Sequence, residues 1–347
     1  MRAAGLDALL VSSPADVRYL SGFSGSNGWL LVGASGRFLV TDARYREQAA
    51  LEAPDYTVVV AAAALSQALN EQIPRGIERL GFDPASLSHA TWQRLTRGSE
   101  LEWVAVDDLV AGLRAIKEDG EVQAIRGALA LAEAVLADVA AQIRPGMTEL
   151  QVAARLDYEC RTRGATAMAF DTIVAAGARG ALPHARPSAR ALAAGDLLVV
   201  DFGCVVDGYC SDITRSVLVG DLLDDDWRRV HAAVDKARAA AIAAIAPGVA
   251  ASEVDRAARD VLRGDRLGQQ FSHSLGHGVG LEVHEPPRLS AQSADTLAAG
   301  MVVTVEPGVY LSGRGGIRLE DMVLVTEGGG ERLNGLDTAI LHTGHGA

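Results

Sequence analysis

Short apolar runs alternate with helical stretches through the first third of the chain. Positions 7–11, 29–32, 37–40 and 56–60 are rich in Leu, Val and aromatic residues and read as strands. Positions 44–52 and 64–72 are rich in Ala or Gln and read as helices. Strands alternating with helices predict an α/β domain of the βαβ kind. The pattern then changes. Val122, Ile125, Leu129, Ala132, Val135 or Leu136, Val139 and Ile143 recur every three or four residues, as on one face of an amphipathic helix. Pro145-Gly146 stops it, because Pro lacks a backbone donor and Gly accepts the left-handed conformation. Lys117-Glu118-Asp119-Gly120 opens the helix. The boundary therefore falls at 113–118, giving domains 1–113 and 118–347.

The second domain repeats itself. Ile143-Arg144-Pro145-Gly146-Met147 precedes a helical stretch with Val152 and Leu156 on one face. Ile245-Ala246-Pro247-Gly248-Val249 precedes another, with Val254 and Ala258. Both Pro-Gly pairs follow long Ala-rich helices. Two helix–turn–helix units, each leading into strands, predict a pseudo-symmetric α+β domain, although any two such turns share this pattern.

Composition narrows the function. The chain has 347 residues, 49% hydrophobic and 22% charged, as in packed globular proteins and unlike disordered or fibrous ones. Lys+Arg number 32 against 44 Asp+Glu, a net charge of −12, which argues against nucleic acid as a partner. The three cysteines, at 160, 204 and 210, are too few for a disulfide framework and form no CxxC pair. Cys204 and Cys210 read as small packing residues. Asp7 precedes any long apolar run, and no segment has the roughly 20 apolar residues of a membrane helix. The expectation is a soluble cytoplasmic protein with no membrane partner.

The chemistry begins at a hairpin. Two β-rich arms, 195–206 and 209–219, flank Asp207-Gly208, a strong turn signal. With Asp207-Gly208 as a two-residue turn, Asp201 and Asp212 are diagonal neighbours; with Val206-Asp207, they face each other. Both registers put the two carboxylates on one face, whereas a three-residue turn separates them unless a bulge intervenes. Asp201 lies in an apolar strand, where an unpaired charge is costly. For the pair alone, a cation site and acids bonded to a loop are equally good readings. Further on, Phe271-Ser272-His273-Ser274-Leu275-Gly276-His277-Gly278-Val279-Gly280-Leu281-Glu282-Val283-His284-Glu285 crowds three histidines among glycines. The spacing differs from the HExxH of helical zinc peptidases. Glu306 and Glu320 are expected on apolar strands, at 301–306 and 317–325, where either could simply pair with Arg318. Asp201, Asp212, His277, Glu306 and Glu320 form an oxygen-rich set with one imidazole, suited to two divalent ions of the Mn, Co, Zn or Fe type. Four carboxylates balance two such ions and permit a bridging hydroxide, available near neutral pH because metal lowers the pKa of bound water to about 7. His231 is expected at the surface, and His342 and His345 in a frayed tail.

These residues resemble a family. Asp201-Phe202-Gly203, Ser211-Asp212-Ile213-Thr214-Arg215, His277-Gly278-Val279-Gly280, Val283-His284-Glu285, Val305-Glu306-Pro307-Gly308 and Gly316-Ile317-Arg318-Leu319-Glu320-Asp321 resemble the Xaa-Pro dipeptidase (prolidase) and aminopeptidase P group of pita-bread-fold metallopeptidases. Leu182-Pro183-His184-Ala185-Arg186-Pro187 matches its substrate-side histidine segment. Tyr19-Leu20-Ser21-Gly22-Phe23-Ser24-Gly25-Ser26 and Thr41-Asp42-Ala43-Arg44-Tyr45 resemble its creatinase-type N-terminal domain. The resemblance implies an α/β N-terminal domain and an α+β pita-bread catalytic domain with a pseudo-twofold repeat. It implies two divalent metal ions (Mn, Co or Zn) held by Asp201, Asp212, His277, Glu306 and Glu320, with Asp212 and Glu320 bridging. Glu306 would also take the proton of the attacking hydroxide. His284 would steady the tetrahedral intermediate or pass a proton to the leaving nitrogen. His184 would act near the scissile bond. His273 and Arg318 would bind the proline side, although Arg318 could equally serve only to pair with a ligand carboxylate. The implied substrates are short proline-containing peptides and the implied assembly is a homodimer.

A dipeptidase is favoured over an aminopeptidase P acting on longer peptides, because Arg44 and Arg46 offer a basic spot for a free substrate carboxylate. A metal-free binding scaffold of the same fold is the alternative from another class. Such scaffolds lose ligands, and here the set is intact.

Overall fold

The computed structural model describes residues 1, 4–107, 109–220 and 224–343, so His345 lies outside the described residues. The chain divides into two compact units, Met1–Arg114 and Ala115–Ala347.

The first unit is built on a six-stranded sheet. Its strands are β1 (Ala8–Val11), β2 (Gly28–Gly33), β3 (Gly36–Asp42), β4 (Thr57–Ala61), β5 (Arg79–Phe82) and β6 (Glu102–Ala105), in the order β4-β3-β2-β1-β5-β6. Helices α1 (Pro14–Ser21), α2 (Arg46–Glu52), α3 (Leu65–Gln72) and α4 (His89–Thr96) connect or follow them. The parallel pairs β3–β4 and β5–β6 are the expected βαβ crossovers, through α2 and α4. An antiparallel pairing of β2 with both β1 and β3 makes the sheet mixed. Apolar clusters cover both faces, Leu10, Leu31 and Leu80 on one and Leu9, Leu30 and Leu39 on the other. This accounts for the continuous rather than alternating apolar runs in the sequence.

The second unit contains two related halves. In the first, α5 (Asp119–Ala140) and α6 (Glu149–Thr162) precede β7 (Ile173–Ala176), β8 (Leu197–Phe202) and β9 (Ile213–Leu218). In the second, α7 (Asp225–Ala244) and α8 (Ala251–Gly264) precede β10 (Gly276–Gly278), β11 (Glu285–Leu289), β12 (Val302–Val305), β13 (Gly315–Arg318) and β14 (Asp321–Thr326). One sheet runs from residues 341–342 through β9 and β8 to β7, the other from β11 through β10, β12 and β14 to 329–332. β13 pairs instead with residues 308–311.

The predicted stripe is the buried face of α5, with Ile125, Leu129, Ala132 and Leu136 against Leu198, Val200 and Phe202. The helix ends at Ala140, short of Pro145, and Ile143 is buried in the turn that follows. The internal repeat is present down to backbone hydrogen bonds. Gly146 N donates to Leu192 O (2.9 Å), and Gly248 N to Leu297 O (2.8 Å). Gly195 N donates to Val219 O (2.7 Å), and Gly300 N to Val325 O (2.8 Å). All four glycines have positive φ, between 84° and 91°, where a side chain is disfavoured. The two Pro-Gly turns are therefore structurally equivalent, and the pita-bread architecture with its pseudo-twofold repeat is observed. No helix among the described residues is long and apolar enough to cross a membrane.

Candidate metal centre

The hairpin adopts the first of the two registers. Val206 faces Tyr209 across Asp207-Gly208, whose φ values of 51° and 88° suit a turn with both central residues left-handed. Asp201 then faces Thr214, and Asp212 is its diagonal neighbour. His277 stands on β10, and Glu306 directly follows β12. Glu320 departs from expectation. It sits not on a continuous strand but in the two-residue break between β13 and β14. There its N–H donates to Thr214 O (3.2 Å), outside any ladder of its own sheet.

All nine residues singled out from the sequence line one cavity of about 290 Å³: Asp201, Asp212, His277, Glu306, Glu320, His184, His273, His284 and Arg318. One oxygen each of Asp212 and Glu320 and one ring nitrogen of His277 lie within 4.8 Å of one another. His277 Nε2 is 3.6 Å from Asp212 Oδ2 and 3.5 Å from Glu306 Oε1. His277 Nδ1 lies 3.1 Å from the Gly278 carbonyl. A proton on Nδ1 satisfies that carbonyl and leaves the Nε2 lone pair turned to the carboxylates.

The electrostatics are those of acids crowded in a dry place. Burial, then the charges of Glu320, Asp201 and Glu306, pushes the Asp212 carboxyl well above its usual range. Burial and Glu320 do the same to Glu306. Glu320 is pushed up to about 8 by burial and by Asp201. His273 and His277 are both lowered to about 4, chiefly by burial, so each is a neutral imidazole at pH 7. The His284 ring lies 4.2 Å from that of His277, centroid to centroid.

The donor set fits divalent cations. Asp201 Oδ1 is buried and has no hydrogen-bond partner among the described residues, an expensive condition unless something positive binds it. Its other oxygen accepts from Arg318. Arg318 also donates to Tyr310 Oη (2.8 Å), Thr214 Oγ1 (3.1 Å) and the Pro183 carbonyl (3.1 Å). Thr214 in turn donates to Glu320 Oε2 (2.7 Å). His273 Nε2 is 2.8 Å from the same Tyr310 hydroxyl, and its Nδ1 is 4.0 Å from Glu306.

Sequence reasoning missed Tyr310, Thr214, Phe170, Asp171 and Arg186. Thr214 had a signal, since it is two residues beyond Asp212 on a strand and shares its face. Tyr310 joins the site through the pairing of 308–311 with β13, a long-range contact that no local pattern shows. Two other expectations need adjustment. His231 is half-buried, with Nε2 2.8 Å from the Thr338 carbonyl, rather than at the surface. Arg44 in the first unit is tied to Asp42 at 2.8 Å.

Comparisons with known proteins identify the family. Residues 123–327 match the model of metallopeptidase family M24, and residues 1–116 match the creatinase/prolidase N-terminal domain. The Xaa-Pro dipeptidase of Pyrococcus furiosus is 36% identical over 97% of this chain and 95% of its own. Among solved structures, a Xaa-Pro dipeptidase from Bacillus anthracis superposes with a TM-score of 0.94, at 35% identity, over 98% of this chain and 96% of that one. An X-Pro aminopeptidase from Thermotoga maritima does so with a TM-score of 0.90, at 37% identity, over 98% and 99%. With a family model that spans more than half of the chain and relatives alike in sequence and fold along nearly its full length, the chain belongs to metallopeptidase family M24.

Proposed function

We propose that the protein is a metal-dependent Xaa-Pro dipeptidase. The observation that carries this reading is the convergence of Asp201, Asp212, His277, Glu306 and Glu320 on one cavity, with a buried Asp201 oxygen lacking a donor. These five residues would hold the metal. Two divalent ions of the Mn, Co or Zn class would supply Lewis acidity and a water acidified to a pKa of about 7. The chain's own residues do the rest. Glu306 accepts the proton released by the attacking water. His284 lies against His277 at the cavity wall and passes a proton to the leaving imino nitrogen. His184 stands near the scissile bond. Neutral His273 borders the proline side with its nitrogens already oriented by Tyr310 and Ser274. Arg318 holds Asp201 in place, the pairing role of the two its sequence setting allowed.

On this reading residues 1–113 are the creatinase-type domain and 118–347 the catalytic one. Three buried free cysteines suit a reducing cytoplasm, and the family resemblance implies a homodimer. The Thermotoga relative's description as an X-Pro aminopeptidase favours a second reading, removal of residues from longer Xaa-Pro peptides. A turnover assay decides between them. Reconstituted with Mn²⁺, Co²⁺ or Zn²⁺, the protein is expected to cleave Xaa-Pro dipeptides faster than Xaa-Pro tripeptides. Equal or faster tripeptide cleavage would establish the aminopeptidase.

A further inference from the structure

His284 stands on irregular backbone, in the loop 279–284 that joins β10 to β11. Its ring makes no hydrogen bond among the described residues and rests against the ring of His277. Proton transfer needs that ring in one place, so the loop has to be fixed from its base. Glu285, the first residue of β11, turns its carboxylate inward, where the side chain is only 2% exposed. There it packs directly on Gly280: a methyl group on that glycine would come within 2.2 Å of Glu285 Oε1. The two ends of the loop therefore meet at this carboxylate. The Gly280 carbonyl accepts in turn from Cys210 N (2.8 Å), two residues before Asp212 on the hairpin.

A lysine 168 positions earlier holds the carboxylate. Lys117 Nζ donates to Glu285 Oε1 at 2.6 Å, and its side chain is 1% exposed. Its main chain is fixed as well, since Lys117 N donates to the Gly300 carbonyl (2.9 Å). Four residues on, in the first turn of α5, Glu121 accepts from Tyr209 Oη (2.8 Å) on the metal-site hairpin. The segment that opens α5 thus reaches both the His284 loop and the hairpin of Asp201 and Asp212. A buried ion pair gains little stability over apolar groups of the same shape, because desolvation offsets the attraction. What it does supply is a fixed distance and direction between two points of the chain.

Resting on the Xaa-Pro reading above and on the proton-passing role of His284 within it, we infer that Lys117 is a positioning residue for that histidine. Acting through Glu285, it closes the base of the 279–284 loop and sets where the His284 ring stands. Lys117 lies outside the lining of the cavity, so its influence on the reaction is exerted through the loop alone. Loss of the pair leaves the cavity floor and the substrate's contacts in place and slows the proton step.

The test is a double-mutant cycle between Lys117→Met and His284→Ala. Each protein is reconstituted with Mn²⁺, its metal content verified by elemental analysis and its folding by circular dichroism, with Ala-Pro and Ala-Pro-Ala as substrates. Alone, Lys117→Met is expected to lower kcat by about 10- to 100-fold with KM changed less than about twofold, since a displacement of about 1 Å is enough for such a loss. With His284→Ala already present there is no ring to place, and the same substitution is expected to change kcat by less than about twofold. Lys117→Arg, which keeps the charge, recovers part of the loss. Because Lys117→Met removes the cation beside a buried carboxylate, the cycle is repeated with Lys117→Met/Glu285→Gln, which removes both charges and is expected to show the same kinetics. Equal slowing with and without His284 overturns the inference and makes the pair merely structural. So does an unchanged kcat in both Lys117 variants, a His284→Ala that turns over like wild type, or failure of both Lys117 variants to fold. A metal-loaded wild type that cleaves neither substrate sinks the Xaa-Pro reading itself, and this inference with it.

Discussion

A buried carboxylate oxygen without a donor costs free energy, and Asp201 Oδ1 is such an atom. Its neighbours make matters worse, since burial and mutual repulsion hold Asp212, Glu306 and Glu320 in their protonated forms beyond the usual range. This has a pH signature in the metal-free protein. An acid with a raised folded-state pKa binds more protons folded than unfolded, so stability falls as pH rises between the two values. His273 and His277, lowered to about 4, act oppositely up to the ordinary histidine value of 6.5. The two effects offset each other below pH 6.5. From there to about 8 the carboxylates act alone. Thermal unfolding of the metal-free protein is therefore expected to show Tm falling most steeply between pH 6.5 and 8; a Tm that rises through this window would contradict the assignment. His284 makes a separate prediction. It is not required to balance cation charge, so His284→Ala should retain its metal while turnover slows by roughly 10²- to 10⁴-fold, the usual worth of positioned proton transfer. Elemental analysis beside steady-state kinetics checks both halves, and loss of metal would make His284 a ligand. The paired aspartates were legible in the sequence because strand alternation puts them on one face. Tyr310 was not, since it reaches the site only through the pairing of 308–311 with β13.

Glu320 occupies the break between β13 and β14, where it lacks the ladder that holds the other strand-borne residues. Arg215 on β9 takes over that task. It is fully buried and donates to the carbonyls of Glu320 (2.6 Å), Thr214 (3.0 Å), Leu336 (2.9 Å) and Asp337 (2.9 Å). Its charge is met by buried Asp321 at 3.0 Å, which also accepts from Arg238 and from Arg332 (2.7 Å). Removing the shared acid leaves Arg215 buried and uncompensated. Asp321→Ala is expected to destabilise the protein by about 3–5 kcal/mol, as for other broken buried pairs. Denaturant unfolding measures this, and a cost below about 1 kcal/mol would show that the arginines re-pair without it. The sequence leads to the expectation of Glu320 on an unbroken strand, because Ile317, Leu319 and Met322 to Val325 make 317–325 a largely apolar run. What interrupts it is tertiary, since β13 pairs with 308–311 while β14 pairs with β12. Apolar pattern alone cannot distinguish one long strand from two that join different sheets.

The two halves of the second unit share Pro-Gly turns, left-handed glycines and equivalent backbone bonds, and each half contributes carboxylates to one cavity. Asp201 and Asp212 come from the first half, and His277, Glu306 and Glu320 from the second. The repeat was readable as helix, Pro-Gly and helix, and the wording of the turns survived because a positive φ restricts the residue choice. Its consequence, a site shared by both halves, needed the sheets to be assembled. This shared site is expected to hold two divalent ions on which Xaa-Pro hydrolysis depends. The most direct measurement strips the protein with chelator, verifies the loss by elemental analysis, and follows Ala-Pro turnover as Mn²⁺ is added back. No turnover is expected without metal, with saturation at two equivalents per chain and Asp212→Ala inactive throughout. Full turnover by the verified metal-free protein would contradict it.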